Sequence, residues 1–226
     1  MSANAPWGKE VHGGLPICWP WFATGGAQSS AAVDVQERVP PKHGLARYLR
    51  WRLVLRVGKS RVELETESTP ETLKAWPHPF KLRAVVSIAG TDGLNLTVTE
   101  TNTGTAPYES AFGVHPYFAV ADACKVSLDG EPLPKPWVMK EFAADGRPHR
   151  LEDSVRRRVF SVASSDNDSW YVWNPGVERT PRCKTLTPDE WKRFFCLEPF
   201  MGKAVPLAPG KSRTHTVKIT VDLFKL

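Results

Sequence analysis

The residues with the strongest claim to chemistry are a histidine and a glutamate set among apolar neighbours. His115 stands in FGVHPYFAV (112–120), a run of aromatic and aliphatic side chains whose immediate members include neither carboxylate nor cysteine. An imidazole placed there is either a buried residue with one hydrogen bond to the backbone or a proton donor whose partners come from elsewhere in the chain. Glu198 follows FFCL and precedes Pro199. A carboxylate in such a segment is costly to bury without a partner, which marks it for attention. Three further stretches, HGGLPICWPWFA (12–23), KHGLARYLRW (42–51) and YVWNPG (171–176), each join Gly or Pro to indole rings and a polar group. Of the nine tryptophans, Trp19, Trp21, Trp51 and Trp173 lie in or beside these stretches. An indole face packs well against the apolar face of a sugar ring, with ordinary core packing as the competing explanation for any one of them.

Other chemistries find less support. Cys18, Cys124, Cys183 and Cys196 are far apart and form no CxxC pair, so free thiols in a reducing cytosol are expected, with no metal centre. No glycine-rich nucleotide loop is present, and no cofactor is expected. The net charge of +6, from 30 Lys+Arg against 24 Asp+Glu, is dispersed except for Arg156, Arg157 and Arg158. Without a basic stripe interleaved with aromatics, these read as solvated faces and not as a nucleic-acid surface, although an anionic small molecule suits the bias. No run approaches the roughly 18 apolar residues that cross a bilayer. The opening MSANAPWGKEVHGG lacks a basic region followed by an apolar one, so a cytoplasmic protein without a signal peptide is expected.

The elements that must position these residues have a period of two. RVELETE (61–67), FKLRAVVSI (80–88), LNLTVTET (94–101) and HTVKITVDLF (215–224) alternate apolar and polar side chains, the pattern of half-buried antiparallel strands. GTDG (90–93), NTGTAP (102–107), LDGEPLP (128–134) and LAPGKS (207–212) supply turns between them. Twenty prolines and sixteen glycines oppose long helices. TPDEWKRFF (187–195) predicts one or two helical turns, with Thr187 as N-cap and Pro188 at the first helical position. The segment 24–41 reads as a long surface loop of the kind that borders sites. The expected class is all-β, a sandwich or barrel in a single domain over 1–226.

GGLPICWPWF, HGLAR, FGVHPYF, VWNPG and FFCLEP, in this order between residues 13 and 199, together resemble the aldose 1-epimerase superfamily, closest to its glucose-6-phosphate 1-epimerase branch. The resemblance implies a large antiparallel β-sandwich of the galactose mutarotase type. It implies cofactor-free interconversion of the α and β anomers of a hexose 6-phosphate, by a monomer that needs no metal. It assigns His115 as a catalytic histidine, Glu198 as a catalytic carboxylate, His43 as a substrate-binding histidine and Arg47 as a phosphate contact. Anomerisation needs one group to take the proton of the C1 hydroxyl and another to protonate the ring oxygen. A carboxylate base and an imidazolium acid suit this near neutral pH, so Glu198 is expected as base and His115 as acid. Trp19 and Trp173 are expected to face the sugar.

Two departures stand out. The sugar-phosphate branch usually carries arginine before the GG(I/L)P motif, where this chain has His12, which can donate a hydrogen bond to phosphate but lacks the fixed charge and fork of arginine. Relatives also carry several strands before this motif, so either residue 1 is not the natural start or the sandwich here lacks N-terminal strands and has an edge to cover. The alternatives are a mutarotase of unphosphorylated aldoses and a non-catalytic sugar or sugar-phosphate binder.

Overall fold

The computed structural model describes residues 12–23, 41–90, 92–133 and 138–223. Alternation along the chain becomes a nine-stranded sheet in the order Glu131–Pro132, Val126–Leu128, His149–Asp153, Arg158–Ser164, Ser212–Leu223, Gly93–Asn102, Phe80–Ile88, Arg61–Glu67 and Arg52–Val57. Every pairing between named strands is antiparallel. All four alternating runs named above are strands in it, with ends shifted by up to three residues. Register aligns their apolar positions in rows: Val62 opposes Val86, Val86 opposes Leu96, and Leu96 opposes Val217. One face is therefore apolar because each strand alternates in phase with its neighbour.

A second sheet contains Ile17–Cys18, Gly113–Val114, Phe194–Phe200, Ser169–Asn174 and Val138–Ala143 in that order, with Tyr117–Ala119 also pairing with Phe194–Phe200. The two sheets share one core. Leu82, Val98, Val162 and Val217 of the first belong to the same buried cluster as Val114, Phe118, Val172, Phe195 and Leu197 of the second. Phe118 meets Phe160 across it with ring centroids 4.9 Å apart. The all-β antiparallel sandwich expected from the sequence is the observed architecture.

Helix is confined to short pieces. The segment 187–195 contains only a 3-10 turn, Glu190–Arg193, with Asp189 and not Thr187 before it, and the chain is already extended at Phe194. The expected helix yields because Phe194 and Phe195 pair with Ala119 and Phe118, so tertiary pairing overrides the local capping signal. One α-helical turn, Pro70–Ala75, carries a capping box between Thr69 and Thr72 and was not anticipated. The loop expected over 24–41 lies, but for its last residue, outside the described residues. At the rim of the larger sheet the strand Arg52–Val57 is exposed throughout, with Leu53, Leu55 and Val57 open to solvent. All four cysteines lie among the described residues and none forms a disulfide. No helix among the described residues is long and apolar enough to cross a membrane.

Candidate active site

Phe194–Phe200 is buried at all seven positions, so its sequence shows no alternation, yet its two faces differ in chemistry. Phe195 and Leu197 join the core between the sheets. Phe194, Cys196, Glu198 and Phe200 occupy the opposite face, because successive side chains of a strand alternate. Neighbouring strands add to that face in register: Tyr117 and Trp173 both oppose Cys196, Tyr171 opposes Glu198, and Gly113 opposes Phe200. His115 lies two residues from each of Gly113 and Tyr117. Its Nε2 is 3.5 Å from Glu198 Oε1. Its ring stacks on Tyr117 at 4.7 Å and meets the edge of Trp173 at 5.5 Å. Gly113 has a reason to be glycine, since a Cβ there would stand 2.7 Å from Phe200 Cβ and 2.8 Å from Phe22 Cδ2. Phe22 stacks on Phe200 and turns an edge to His43, so this close approach walls one end of the cluster.

The HGLAR stretch forms a tight turn that brings His43 to the same face. His43 and Gly44 both have left-handed backbones, φ 64° and 75°. For a histidine this costs on the order of 1 kcal/mol, which the surroundings must hold in place. They do so through Trp19, whose carbonyl accepts from Leu45 N (2.7 Å) and Ala46 N (3.1 Å). A Cβ on Gly44 would fall 2.3 Å from that oxygen, so only glycine fits. His43 N donates to Ala23 O, and Ala23 N donates back to His43 Nδ1 at 3.2 Å. With Nδ1 accepting, the neutral ring carries its proton on Nε2. The His43 ring meets that of His115 edge-on at 5.2 Å. Arg47 lies in the 3-10 turn Ala46–Tyr48 and borders an open groove of about 270 Å³, whose lining includes Gly13, Leu15, Ile17 and Trp51 but neither His115 nor Glu198.

Burial dominates the electrostatics. It pushes the Glu198 carboxyl well above the usual carboxylate range, opposed by the charges of Lys42 and Arg47. It pushes His115 well below the usual imidazole value, helped by His43, Arg47 and Lys42. His43 is brought down to about 3 by burial and then by Lys42 and Arg47. All three residues are nearly inaccessible, at 1%, 6% and 4% exposure. Desolvation in the unliganded protein therefore favours a neutral imidazole on His115, whereas the sequence suggested an imidazolium. Glu198 Oε1 and His115 Nδ1 also lack any hydrogen-bond partner among the described residues. Buried polar atoms are rarely left so, and with His115 Nε2 facing the unpartnered Glu198 Oε1 the two residues are suited to exchanging protons with a third party that brings hydroxyl groups.

The sequence-expected residues divide. His115, Glu198, His43 and Trp173 come together, with Arg47 beside them. His12 stacks on Trp173 at 6.0 Å, and its Nδ1 lies 2.6 Å from Thr185 Oγ1. Trp19 does not join them. It is fully buried in the core, its indole N–H donates to Glu100 at 2.8 Å, and Phe80 and Trp76 pack on its ring, so no sugar can lie against it. Its contribution is the backbone carbonyl that holds the HGLAR turn. Trp21 and Trp51 likewise spend their N–H groups on the backbone, at Pro41 O and Ala46 O. Asn174 of VWNPG ties the chain locally, donating to Trp191 O and Phe194 O and accepting from Gly176 N. Cys196 and Phe200 were missed as members of the face, though counting two residues either way from Glu198 finds both.

Comparison with known proteins shows the family and the fold. A family model described as aldose 1-epimerase matches residues 8–135, more than half of the chain. A Cenchrus ciliaris protein named as a candidate glucose-6-phosphate 1-epimerase is 27% identical over 90% of this chain and 68% of its own length. An Escherichia coli protein of the same designation is 28% identical over 88% of this chain and 70% of its own. Among solved structures, a candidate mutarotase from Salmonella typhimurium superposes with a TM-score of 0.80 at 21% identity, covering 96% of this chain and 77% of that one. A Synechocystis protein reaches 0.78 over 96% of this chain and 80% of its own.

Proposed function

The chain belongs to the aldose 1-epimerase family, and we propose that it interconverts the α and β anomers of a hexose 6-phosphate with His115 and Glu198 as its acid–base pair. The observation that carries this reading is the buried pair itself, 3.5 Å apart, with an unpartnered polar atom on each residue and two cations, Lys42 and Arg47, acting on both. The reaction needs the pair to hold one proton between its members. Sugar hydroxyls entering the cluster hydrogen-bond to the Glu198 carboxylate and replace the solvation that burial removed, so the proton resides on His115. Glu198 then takes the proton of the C1 hydroxyl as the C1–O5 bond breaks, and His115 protonates O5. Rotation about C1–C2 and closure by the reverse transfers give the other anomer and restore the pair.

His43, held neutral with its proton on Nε2, donates to the ring oxygen or an adjacent hydroxyl without competing as an acid. Trp173 and Tyr117 offer flat faces to the sugar ring. Arg47, with Lys42 assisting, takes the phosphate at the rim, and the phosphate dianion offsets the positive charge that disfavours a protonated His115. A second reading, in which the substrate is an unphosphorylated aldose, is favoured by His12: the ring that replaces the branch's arginine is engaged with Thr185 and Trp173.

The test is to add the purified protein to freshly dissolved α-glucose 6-phosphate and follow the anomeric proton signals by NMR. Equilibration faster than in buffer is expected. A rate equal to buffer for glucose 6-phosphate, glucose and galactose contradicts the assignment and leaves the sugar-binding alternative.

A further inference from the structure

Cys196 has no part in the proton transfers, yet it shares the catalytic face. Its sulfur, a His115 ring nitrogen and a Glu198 carboxylate oxygen all lie within 4.8 Å of one another, and all three residues are buried. We propose that His115, Cys196 and Glu198 form a site for a thiophilic divalent cation of the zinc class, whose binding blocks the acid–base pair. Only the blocking depends on the function proposed above; the binding does not.

Three features of the site carry this. The first is geometry. Metal–donor bonds of about 2.0–2.3 Å place the donors of a tetrahedral site roughly 3.4–3.7 Å apart. The His115–Glu198 separation of 3.5 Å already meets that spacing. The strand places Cys196 and Glu198 two residues apart on one face, and the sulfur already lies within 4.8 Å of both other ligand atoms. Three protein ligands leave the fourth position for water or a sugar hydroxyl.

The second feature is that a ligand atom is waiting. Glu198 Oε1, which faces His115 Nε2, is buried without a hydrogen-bond partner among the described residues. A bound cation would supply the counterpart that the described residues withhold.

The third is charge and donor type. A thiolate, a carboxylate and a neutral imidazole balance a dication to zero, which a buried site tolerates where a net charge would be expelled. A cysteine that ligates as a thiolate gives up its proton to solvent as the metal binds. One nitrogen and one sulfur in a set of three also discriminate against calcium and magnesium, which take six or more oxygen ligands.

The test titrates cobalt(II) into the chelator-treated full-length protein and reads the thiolate-to-cobalt charge-transfer absorption, then displaces it with zinc. One equivalent is expected to develop the band, zinc to abolish it, and excess magnesium or calcium to leave it unchanged. Cys196→Ser should remove the band and weaken binding by about tenfold or more. Cys124→Ser, at a half-buried thiol away from the cluster, should keep both. No thiolate band, or a band that survives Cys196→Ser, overturns the site. Anomer exchange measured alongside separates the two claims. Saturating zinc should slow the wild type, and unchanged exchange overturns the blocking. A cobalt band at Cys196 in a protein with no anomerase activity upholds the site and contradicts the proposed function instead.

Discussion

Two glutamates of this protein are each 1% exposed and each beside a histidine, yet they sit in opposite environments. Glu100 accepts from the indole of Trp19 (2.8 Å), the hydroxyl of Ser110 (2.7 Å) and the guanidinium of Arg213 (2.7 Å), with His215 Nε2 at 3.2 Å. Burial pushes its carboxyl up, but His215, Arg213 and Ser110 together bring it below the usual range. Glu198 has His115 as its one ion-pair partner among the described residues, at 3.5 Å, and one orphaned oxygen, and burial leaves its carboxyl raised. Burial alone therefore distinguishes neither role. Glu100 is saturated with donors and is committed to joining Trp19, and through it the HGLAR turn, to the larger sheet. Glu198 is left unsaturated, which costs stability and keeps the group available to a ligand.

This contrast can be broken by substitution. Glu198→Gln and His115→Asn should each slow anomer exchange by about 10²–10⁴-fold, the usual range for losing a general acid or base. Glu198→Gln should leave the urea midpoint unchanged or higher, because no paired charge is lost. Glu100→Gln should do the reverse. Removing one partner from a buried ion pair costs about 3–5 kcal/mol, so the urea midpoint should fall while exchange per folded molecule stays within a few-fold. If Glu100→Gln abolishes exchange at full folding, the division between the two glutamates fails.

Smaller effects sharpen the picture around Glu198. His43 titrates near 6.5 when unfolded and about 3 when folded. Below 6.5 the unfolded chain therefore binds the extra proton, and stability falls as the pH drops from 6.5 toward 3. At pH 5 this amounts to about 2 kcal/mol relative to neutral pH. Urea unfolding of His43→Asn at the two pH values should show an acid loss smaller by about that amount, and equal losses in both proteins would contradict a buried neutral His43. Arg47→Ala should raise KM for glucose 6-phosphate by roughly tenfold and leave KM for glucose nearly unchanged, as expected for the loss of a charge-assisted phosphate contact. Equal changes for both sugars would remove the phosphate role.

The sequence displayed the larger sheet well because its strands bury one face, and Val62, Leu96 and Val217 therefore alternate with polar neighbours. It concealed Phe194–Phe200 because both faces of that strand are covered, so Phe195 and Leu197 on the core side look like Phe194 and Phe200 on the other. His115 and Glu198 stood out as ionisable groups in apolar runs. Their proximity did not, since 83 residues separate them in the chain and only the register of the smaller sheet joins them. Trp19 misled because an indole beside Gly and Pro looks the same whether its face meets a sugar or its N–H meets Glu100. That distinction depends on Glu100, 81 residues away.

The most direct measurement is NMR anomer exchange on glucose 6-phosphate with wild type, Glu198→Gln and Glu100→Gln side by side, each normalised to its folded fraction. The expected result is rapid exchange for wild type and Glu100→Gln, and exchange near the buffer rate for Glu198→Gln. Wild-type exchange in the Glu198→Gln protein would contradict the central claim that this unpartnered carboxyl is one half of the acid–base pair.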